Sequence, residues 1–538
     1  MTDFKTALIQ DPKLSQITDQ QVFGVRVGAS NNTFQSFSAV SDSASSLIFN
    51  CQLPSESVVL SRDISLRADI VVSFTSAADD IAYGRDICLA PFPLAFGMQS
   101  ISSQINNSTV SLNLSDILPQ LLCMNDSAMI NKWQGTCPTL RDEVYRLYSD
   151  ALMANNDPFG LLDNAGYEQF PEPRGAHPVT LTRSDTADAN GNWTYTLQWT
   201  TVEPIFLSPY IFGHPDYNLG GFVGINTVNL NCNMTSTPVR VFRTRNKAVA
   251  NVRWGTSSEP NPFASSKPTL LLNFLSSQST QLIPARQVLP YADFPRYITP
   301  QASWNGGKIN VNNIQLNQLP DKFIICVRRK MSDLDTEAAD YFWPIRGVSV
   351  NLNNQSGLLS SCTRENLWRM SVEAGSMQSY TEFRGTALTK NKEVPTTGSL
   401  LVLDPAMHLS LPAMLTSGSI GQFSFNIEID CDSLYDDQEL LNVEAVVVCM
   451  NSGIMVNAAG SSAIYTGILT KEMVVATATE SDVPPMDVPE YERMVGGRSG
   501  NFGALKRMLA SKLGRKGGAH SGGAHSGGAH SGGVRRFV

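Results

Sequence analysis

The side chains that most often carry chemistry are sparse in this sequence and do not combine. Three of the six histidines, His177, His214 and His408, lie outside the C-terminal repeats, and none has another histidine at metal-ligand spacing. No Gly-x-Ser-x-Gly elbow, phosphate-binding loop or Gly-x-Gly-x-x-Gly turn occurs. Acidic pairs such as Asp79-Asp80 and Asp436-Asp437 have the residue type that glycoside hydrolysis needs, because two carboxylates suffice for it. In a chain with 48 acidic residues such pairs are ordinary, and they read as exposed turn carboxylates. Trp193, Trp199, Trp304, Trp343 and Trp368 could line a sugar-binding groove, but they sit in strand-like or helix-like segments where core packing is expected. Nine cysteines, an odd number without a Cys-x-x-Cys pair, indicate neither a disulfide framework nor a zinc site and read as buried small apolar residues. No catalytic residue, cofactor or metal is expected.

What the sequence does offer is electrostatic and lies near its C-terminal end. The net charge is −8, yet Arg493 to Val538 holds nine Lys/Arg and no Asp or Glu. The remainder therefore carries 31 basic residues against 48 acidic ones, a net −17. An acidic body with a basic tail points to nucleic-acid or membrane contact by the tail alone. Within it Phe502, Leu505, Met508, Leu509 and Leu513 recur at helical spacing, with Lys506, Arg507, Lys512, Arg515 and Lys516 among them. This is a short basic amphipathic helix suited to anionic lipid or nucleic acid. Three Gly-Gly-Ala-His-Ser units follow, with His520, His525 and His530, and then Arg535-Arg536. The repeats read as a disordered spacer whose imidazoles would add positive charge on acidification.

The elements behind these residues are strands. At 538 residues the chain exceeds the ~250 to 300 residues at which a single core stops growing, so two or more domains are expected. In Leu66 to Phe74 the apolar residues fall on even positions, the period of a strand with one face on a core. Tyr195, Leu197 and Trp199 repeat the pattern, as do Val228, Leu230, Cys232 and Met234. In the second half Val348, Val350 and Leu352 alternate with polar residues, and Phe423, Phe425, Ile427 and Ile429 do the same. Helix is scarce: the spacing of Leu140, Val144, Leu147, Ala151 and Leu152 predicts one over Leu140 to Met153, and a shorter one is expected at Arg364 to Val372. Val110-Ser-Leu-Asn-Leu114 and Val348-Ser-Val-Asn-Leu352 form a faint internal repeat. In each half an Ile/Leu-rich segment with helix potential follows, which fits a duplicated domain. The charged fraction, 16%, is below the ~25% of ordinary proteins. Such uncharged polar surface suits packing against copies of the same chain, because little charge is desolvated at each contact.

No apolar run reaches the ~20 residues a spanning helix needs, and the N-terminus MTDFKTALIQDPK lacks a signal-peptide core, so synthesis in a reducing compartment is expected. The Asn-x-Ser/Thr sequons at Asn107, Asn192 and Asn233 are then consequences of composition. The order of segments resembles the double jelly-roll major capsid proteins, the lineage of adenovirus hexon, virophages, Polinton-type elements and tailless icosahedral phages. The resemblance is carried by Ser46 to Ser55, Arg62 to Arg67 and Gly221 to Asn231 in the first half. In the second it is carried by Asn313 to Arg328 with its Pro-Asp turn, Ile345 to Leu359, Leu367 to Met370 and Gly467 to Thr470.

It implies an all-β fold of two consecutive jelly-roll β-sandwiches with few short helices and a disordered basic C-terminal tail. The expected divisions are an N-terminal arm at 1–45, a first jelly roll at 46–240, a linker at 241–264, a second jelly roll at 265–475 and a flexible tail at 476–538. The function it implies is a homotrimer forming pseudo-hexagonal capsomers in an icosahedral shell, with neighbouring capsomers and a penton protein as partners. The particle would be assembled from protein made in the host cell cytoplasm, with the tail touching viral nucleic acid or membrane. Met494-Val-Gly-Gly497 followed by Arg498, a run that includes Gly496, resembles the Met-x-Gly-Gly site cut by adenovirus-type maturation proteases, so a viral protease is an expected partner; the alternative is a plain glycine linker. No residue is singled out for a host receptor. The other function weighed is a trimeric β-sandwich carbohydrate or receptor-binding protein, fibre or lectin-like; a β-sandwich hydrolase would need an essential carboxylate pair.

Overall fold

The computed structural model describes residues 29–467, apart from 56–57, 126–129, 131, 143–144, 152–158, 160–171, 211–220, 246, 278–285, 389–392, 412–414, 435–439 and 459. These belong to one compact unit, Met1–Val475. Strands form where the alternation predicts them. In β5 (Ser65–Ser76) Leu66, Ala68, Ile70, Val72 and Phe74 are buried while Arg67, Asp69 and Val71 are not. Ser73 breaks the phase: Arg253, directly opposite it on a neighbouring strand of the same sheet, donates to its hydroxyl at 3.1 Å.

Two sandwiches result. The first contains a five-stranded sheet in the order β2 (Ser41–Asp42), β3 (Ser46–Gln52), β11 (Thr227–Met234), β7 (Met98–Ile105) and β8 (Ser108–Leu112). It shares a core with a seven-stranded sheet running β1 (Ala29–Ser38), β14 (Thr269–Ser277), β5, β10 (Trp193–Pro204) and β9 (Val179–Arg183). There β4 (Val58–Leu60) also pairs with β14, and β13 (Ala250–Trp254) with β5. In the second sandwich a six-stranded sheet runs β15 (Gln287–Asp293), β25 (Leu441–Ala458), β18 (Lys322–Arg329) and β23 (Leu401–Leu403), with β16 (Arg296–Trp304) and β26 (Ser461–Thr466) also on β25. Its partner is the four-stranded sheet β17 (Gly307–Gln318), β24 (Ile420–Cys431), β19 (Ile345–Leu352) and β20 (Gln355–Leu358). Two ribbons, β6 (Ile87–Leu89) with β12 (Phe242–Thr244) and β21 (Thr386–Leu388) with β22 (Glu393–Pro395), complete the pairings.

The same strand order occurs twice. The path β3-β11-β7-β8 has its counterpart in β17-β24-β19-β20, and β14-β5-β10 in β25-β18-β23, with chain order preserved throughout. A helix follows the corresponding strand in each half: Leu114–Met124 after β8 and Arg364–Glu373 after β20. The chain is therefore two consecutive jelly rolls, as the segment order predicts. The five-residue repeat that hinted at duplication does not mark it, since Val110 lies in β8 and Val348 in β19, the counterpart of β7.

Three local expectations change. Among the described residues of 140–153 there is no α-helix; a 3₁₀ turn spans Tyr148–Ala151. The segment's backbone bonds elsewhere, the Arg146 N–H donating to the Pro395 carbonyl at 3.1 Å and the Ala339 N–H to the Arg146 carbonyl at 2.8 Å. Buried Thr139, Arg146 and Tyr148 do not follow the predicted stripe, so long-range contacts override local periodicity. Thr269–Ser277, which the sequence places after the linker, is β14 and closes the first sandwich by pairing with β5. Ala29–Ser38, read as arm, is a strand paired with β14.

Candidate functional site

Two apolar runs depart from the alternation and build the junction between the halves. Phe323–Val327 in β18 and Ala445–Cys449 in β25 are buried at five consecutive positions each. In β18 Phe323, Ile325 and Val327 enter the second core, while Ile324 and Cys326 enter the first. In β25 Ala445, Val447 and Cys449 separate in the same way from Val446 and Val448. The sheet is covered on both faces, which is why its strands read as continuous apolar runs.

Charged side chains pin this apolar contact. The helix Leu114–Met124 presents Asp116 in its first turn, and that carboxylate pairs with Arg328 of β18 at 2.7 Å and Arg296 of β16 at 2.5 Å. Arg328 also reaches Glu444 of β25 at 3.0 Å and donates to the Asp116 carbonyl at 3.1 Å. One turn along, the Gln120 amide donates to the Cys326 sulfur at 3.5 Å. A second cluster centres on Asp340, held by Arg240 at 3.0 Å and Arg243 at 2.6 Å. Arg240 donates to the Ser115 carbonyl at 2.7 Å, and Arg243 to the Tyr148 hydroxyl at 3.1 Å. Tyr148 in turn donates to Asp142 at 2.9 Å, which also accepts from Arg174 at 2.6 Å.

Burial by itself would raise the Asp340 carboxyl and lower the guanidiniums. For Asp340 the facing arginines outweigh it and hold the carboxyl below the ordinary range. For Arg174, Arg243 and Arg328 the facing carboxylates and phenol outweigh it and raise the guanidinium, whereas for Arg240 burial wins and lowers it. Pairing of this kind fixes geometry and leaves the carboxylate ionised. It is a lock between domains, not an acid–base device.

The other residues that the sequence raised fall into place as packing. Trp199, Trp304 and Trp343 are buried, Trp368 meets Tyr380 edge-on with centroids 5.5 Å apart, and Arg183 lies 4.3 Å over Trp193. Eight of the nine free cysteines are buried, and burial pushes the thiols of Cys51, Cys88, Cys232 and Cys449 up to about 12. His177 Nε2 lies 3.0 Å from the Thr200 carbonyl. His408 Nδ1 accepts from the Asp404 N–H at 3.0 Å. Among the described residues no group of three or more His, Cys, Asp or Glu could hold a metal. A groove of about 270 Å³ lined by Pro344, Arg364, Arg384 and Asp432 is occupied by ion pairs, Arg364 with Asp432 and Arg384 with Glu393. His214, Asp436 and Asp437 lie outside the described residues, as do Met494, Gly496, Gly497, Arg498, Lys506, Arg507, Lys512, Arg515, Lys516, Arg535 and Arg536.

Sequence reasoning missed the junction arginines. Their signal was available: Arg240, Arg243 and Arg328 each border or interrupt an apolar run, in Val239-Arg-Val-Phe-Arg243 and in Phe323 to Arg328.

Residues 2–275 match the family described as Sputnik virophage major capsid protein 1st domain. Residues 294–453 match the one described as major capsid protein V20 C-terminal domain. A Sputnik virophage protein described as putative capsid protein V20 is 23% identical over 539 aligned residues, covering 95% of this chain and 87% of that one. Among solved structures, a chain of the Sputnik virophage cryo-EM structure superposes with a TM-score of 0.76 at 21% identity, covering 91% of this chain and 97% of its own length. The mavirus major capsid protein gives a TM-score of 0.70 at 13% identity, with coverage of 90% and 99%.

Proposed function

Because the chain belongs to the Sputnik virophage major capsid protein family, we propose that three copies form a pseudo-hexagonal capsomer and that such capsomers tile an icosahedral shell. The observation that carries this reading is the repeated strand order: two like sandwiches in each chain give six in a trimer, so three-fold symmetry presents six similar flanks to its neighbours. The charge lock at the junction supports it, because a capsomer flank made of two sandwiches has a fixed shape only if they cannot rotate against each other. The role is structural and no catalytic step is assigned. Neighbouring capsomers, a penton protein at the shell vertices and a maturation protease acting at Met494 to Arg498 are the partners in this scheme. The basic residues from Lys506 to Lys516, with Arg535 and Arg536, would face packaged nucleic acid or a membrane inside the particle.

Negative-stain microscopy of the expressed chain tests the reading. Hexagonal blocks or closed shells are expected. A stable monomer by light scattering under assembly conditions would refute it, and a trimer that never assembles but saturates with glycan would favour the lectin-like alternative.

A further inference from the structure

Sheets that end in an open strand ordinarily guard it with charge, shortness or a bulge, because the outer row of N–H and C=O groups is a template for another strand. Several edges among the described residues show those guards, while the shorter edges β8 and β26 share only the lack of charge with the ten-residue β1. β9 is five residues long and ends in Arg183, β2 has two residues, β20 has four, and β17 carries Lys308 and two register shifts, at Val311/Ile314 and Leu316/Gln318. β1 is different. From Asn31 to Ser38 it pairs with β14 without a shift, it contains no charged residue, and among the described residues β14 is its only strand partner. Residues 32–38 are exposed on both faces apart from half-buried Phe37, and Phe34 is 77% exposed.

The register fixes which backbone groups are open. The Ala39 N–H donates to the Pro268 carbonyl at 2.9 Å, so by antiparallel alternation Phe37, Gln35 and Thr33 bond to β14. Asn32, Phe34, Ser36 and Ser38 then direct their N–H and C=O groups away from the sheet. The Ser61 N–H bonding to the Asn273 carbonyl at 2.8 Å, on the far side of β14, agrees with this phase.

We infer that β1 is a docking edge whose occupant is β1 of a second copy of this chain, paired antiparallel across a two-fold between adjacent capsomers. This rests on the shell-forming role proposed above. A two-fold centred on Ser36 sets Phe34 of each strand opposite Ser38 of the other, and with no charge in Ala29–Ser38 the pairing opposes no like charges. It would also cover Phe34, an aromatic left in water in the single chain. A highly charged partner segment would gain nothing from so uncharged an edge, whereas a second copy of it meets its equal in polarity and hydrogen-bonding pattern.

Hydrogen exchange at single-residue resolution on full-length protein, as isolated capsomers and as assembled shells, is the test. The amides of Phe34, Ser36 and Ser38 are expected to exchange freely in the capsomer and to become protected in the shell, while those of Thr33, Gln35 and Phe37 are protected in both. Ser36→Pro removes one outward N–H and no bond to β14, and should leave the capsomer intact while cutting shell yield about tenfold. Ser36→Lys should act the same way if proline disturbs the strand. Shells in which the amides of Phe34, Ser36 and Ser38 still exchange freely overturn the inference while leaving the shell-forming role intact. Protection of those amides already in the isolated capsomer overturns it too, since residues 1–28 or a trimer mate would then be the occupant. Wild-type protein that forms no shells at all removes both the role and the inference.

Discussion

At the scale of single residues, charge in the interior is the feature with the largest consequences. Asp340 neutralises Arg240 and Arg243, of which Arg243 is 1% exposed. Asp340→Ala would strand two buried cations, and removing one partner from such a pair costs about 3 to 5 kcal/mol. Equilibrium unfolding in urea should show that loss, with Asp340→Asn milder because its amide oxygen still accepts. Glu203 is a different case. Its carboxylate accepts from the N–H groups of Leu94 at 2.7 Å and Ala95 at 2.8 Å and from the Thr201 hydroxyl at 2.9 Å. Burial nevertheless pushes it up to about 7, against those hydrogen bonds. The native state therefore holds a proton that the unfolded chain releases between about pH 4.5 and 7, so the group's contribution is full below that window and is lost as pH rises through it. The stability of wild type minus that of Glu203→Gln should fall by up to about 3 kcal/mol from pH 4.5 to pH 8. A value that rises with pH would mean that the three donors outweigh burial.

At the scale of elements, the strands divide into those buried on one face and those buried on two. Ile324 and Ile325 are adjacent in β18 yet belong to different cores. Each should cost about 2 to 5 kcal/mol on truncation to Ala, whereas in a one-sided strand only every second position should be so sensitive. In β19 Ser349, on the open side between buried Val348 and Val350, should tolerate Ala within about 0.5 kcal/mol. Thermal unfolding of the three variants checks the contrast. A mild effect at Ile324 would mean that the first sandwich does not seal that face of β18. The segment around Tyr148 makes the complementary point. It has the spacing of an amphipathic helix, but its N–H groups serve carbonyls of the second half, at Pro395 and Glu337.

At the scale of the whole molecule, the proposed function rests on repetition and charge distribution. The body is acidic and the segment from Arg493 onward holds nine basic residues without an acidic one. Deleting residues 476–538 should leave capsomers able to form while abolishing salt-dependent retention of nucleic acid or anionic vesicles. Unchanged binding with an unchanged salt slope would remove the tail's role. Mass spectrometry of mature particles tests cleavage separately: chains ending at Gly497 are expected, and Val538 in every copy would dispose of the cut.

The sequence by itself determined the class of fold. Period-two alternation, as in Leu66 to Phe74 and Phe423 to Ile429, survives into the structure because each such residue needs only a core on one side. It also determined the buried state of most cysteines, and the helix at Arg364, whose cap Thr363 accepts from the Asn366 N–H. Tertiary structure alone decided which strands are neighbours. Neither β14 as the closing strand of the first sandwich nor the true correspondence of β8 with β20 is visible locally, because pairing joins residues such as Thr269 and Arg67 that lie far apart in the chain. It alone decided the junction as well: an arginine at the margin of an apolar run costs free energy until a carboxylate from another element meets it. Asp116 meets Arg328, and Asp340 meets Arg240 and Arg243, only once the two sandwiches have docked.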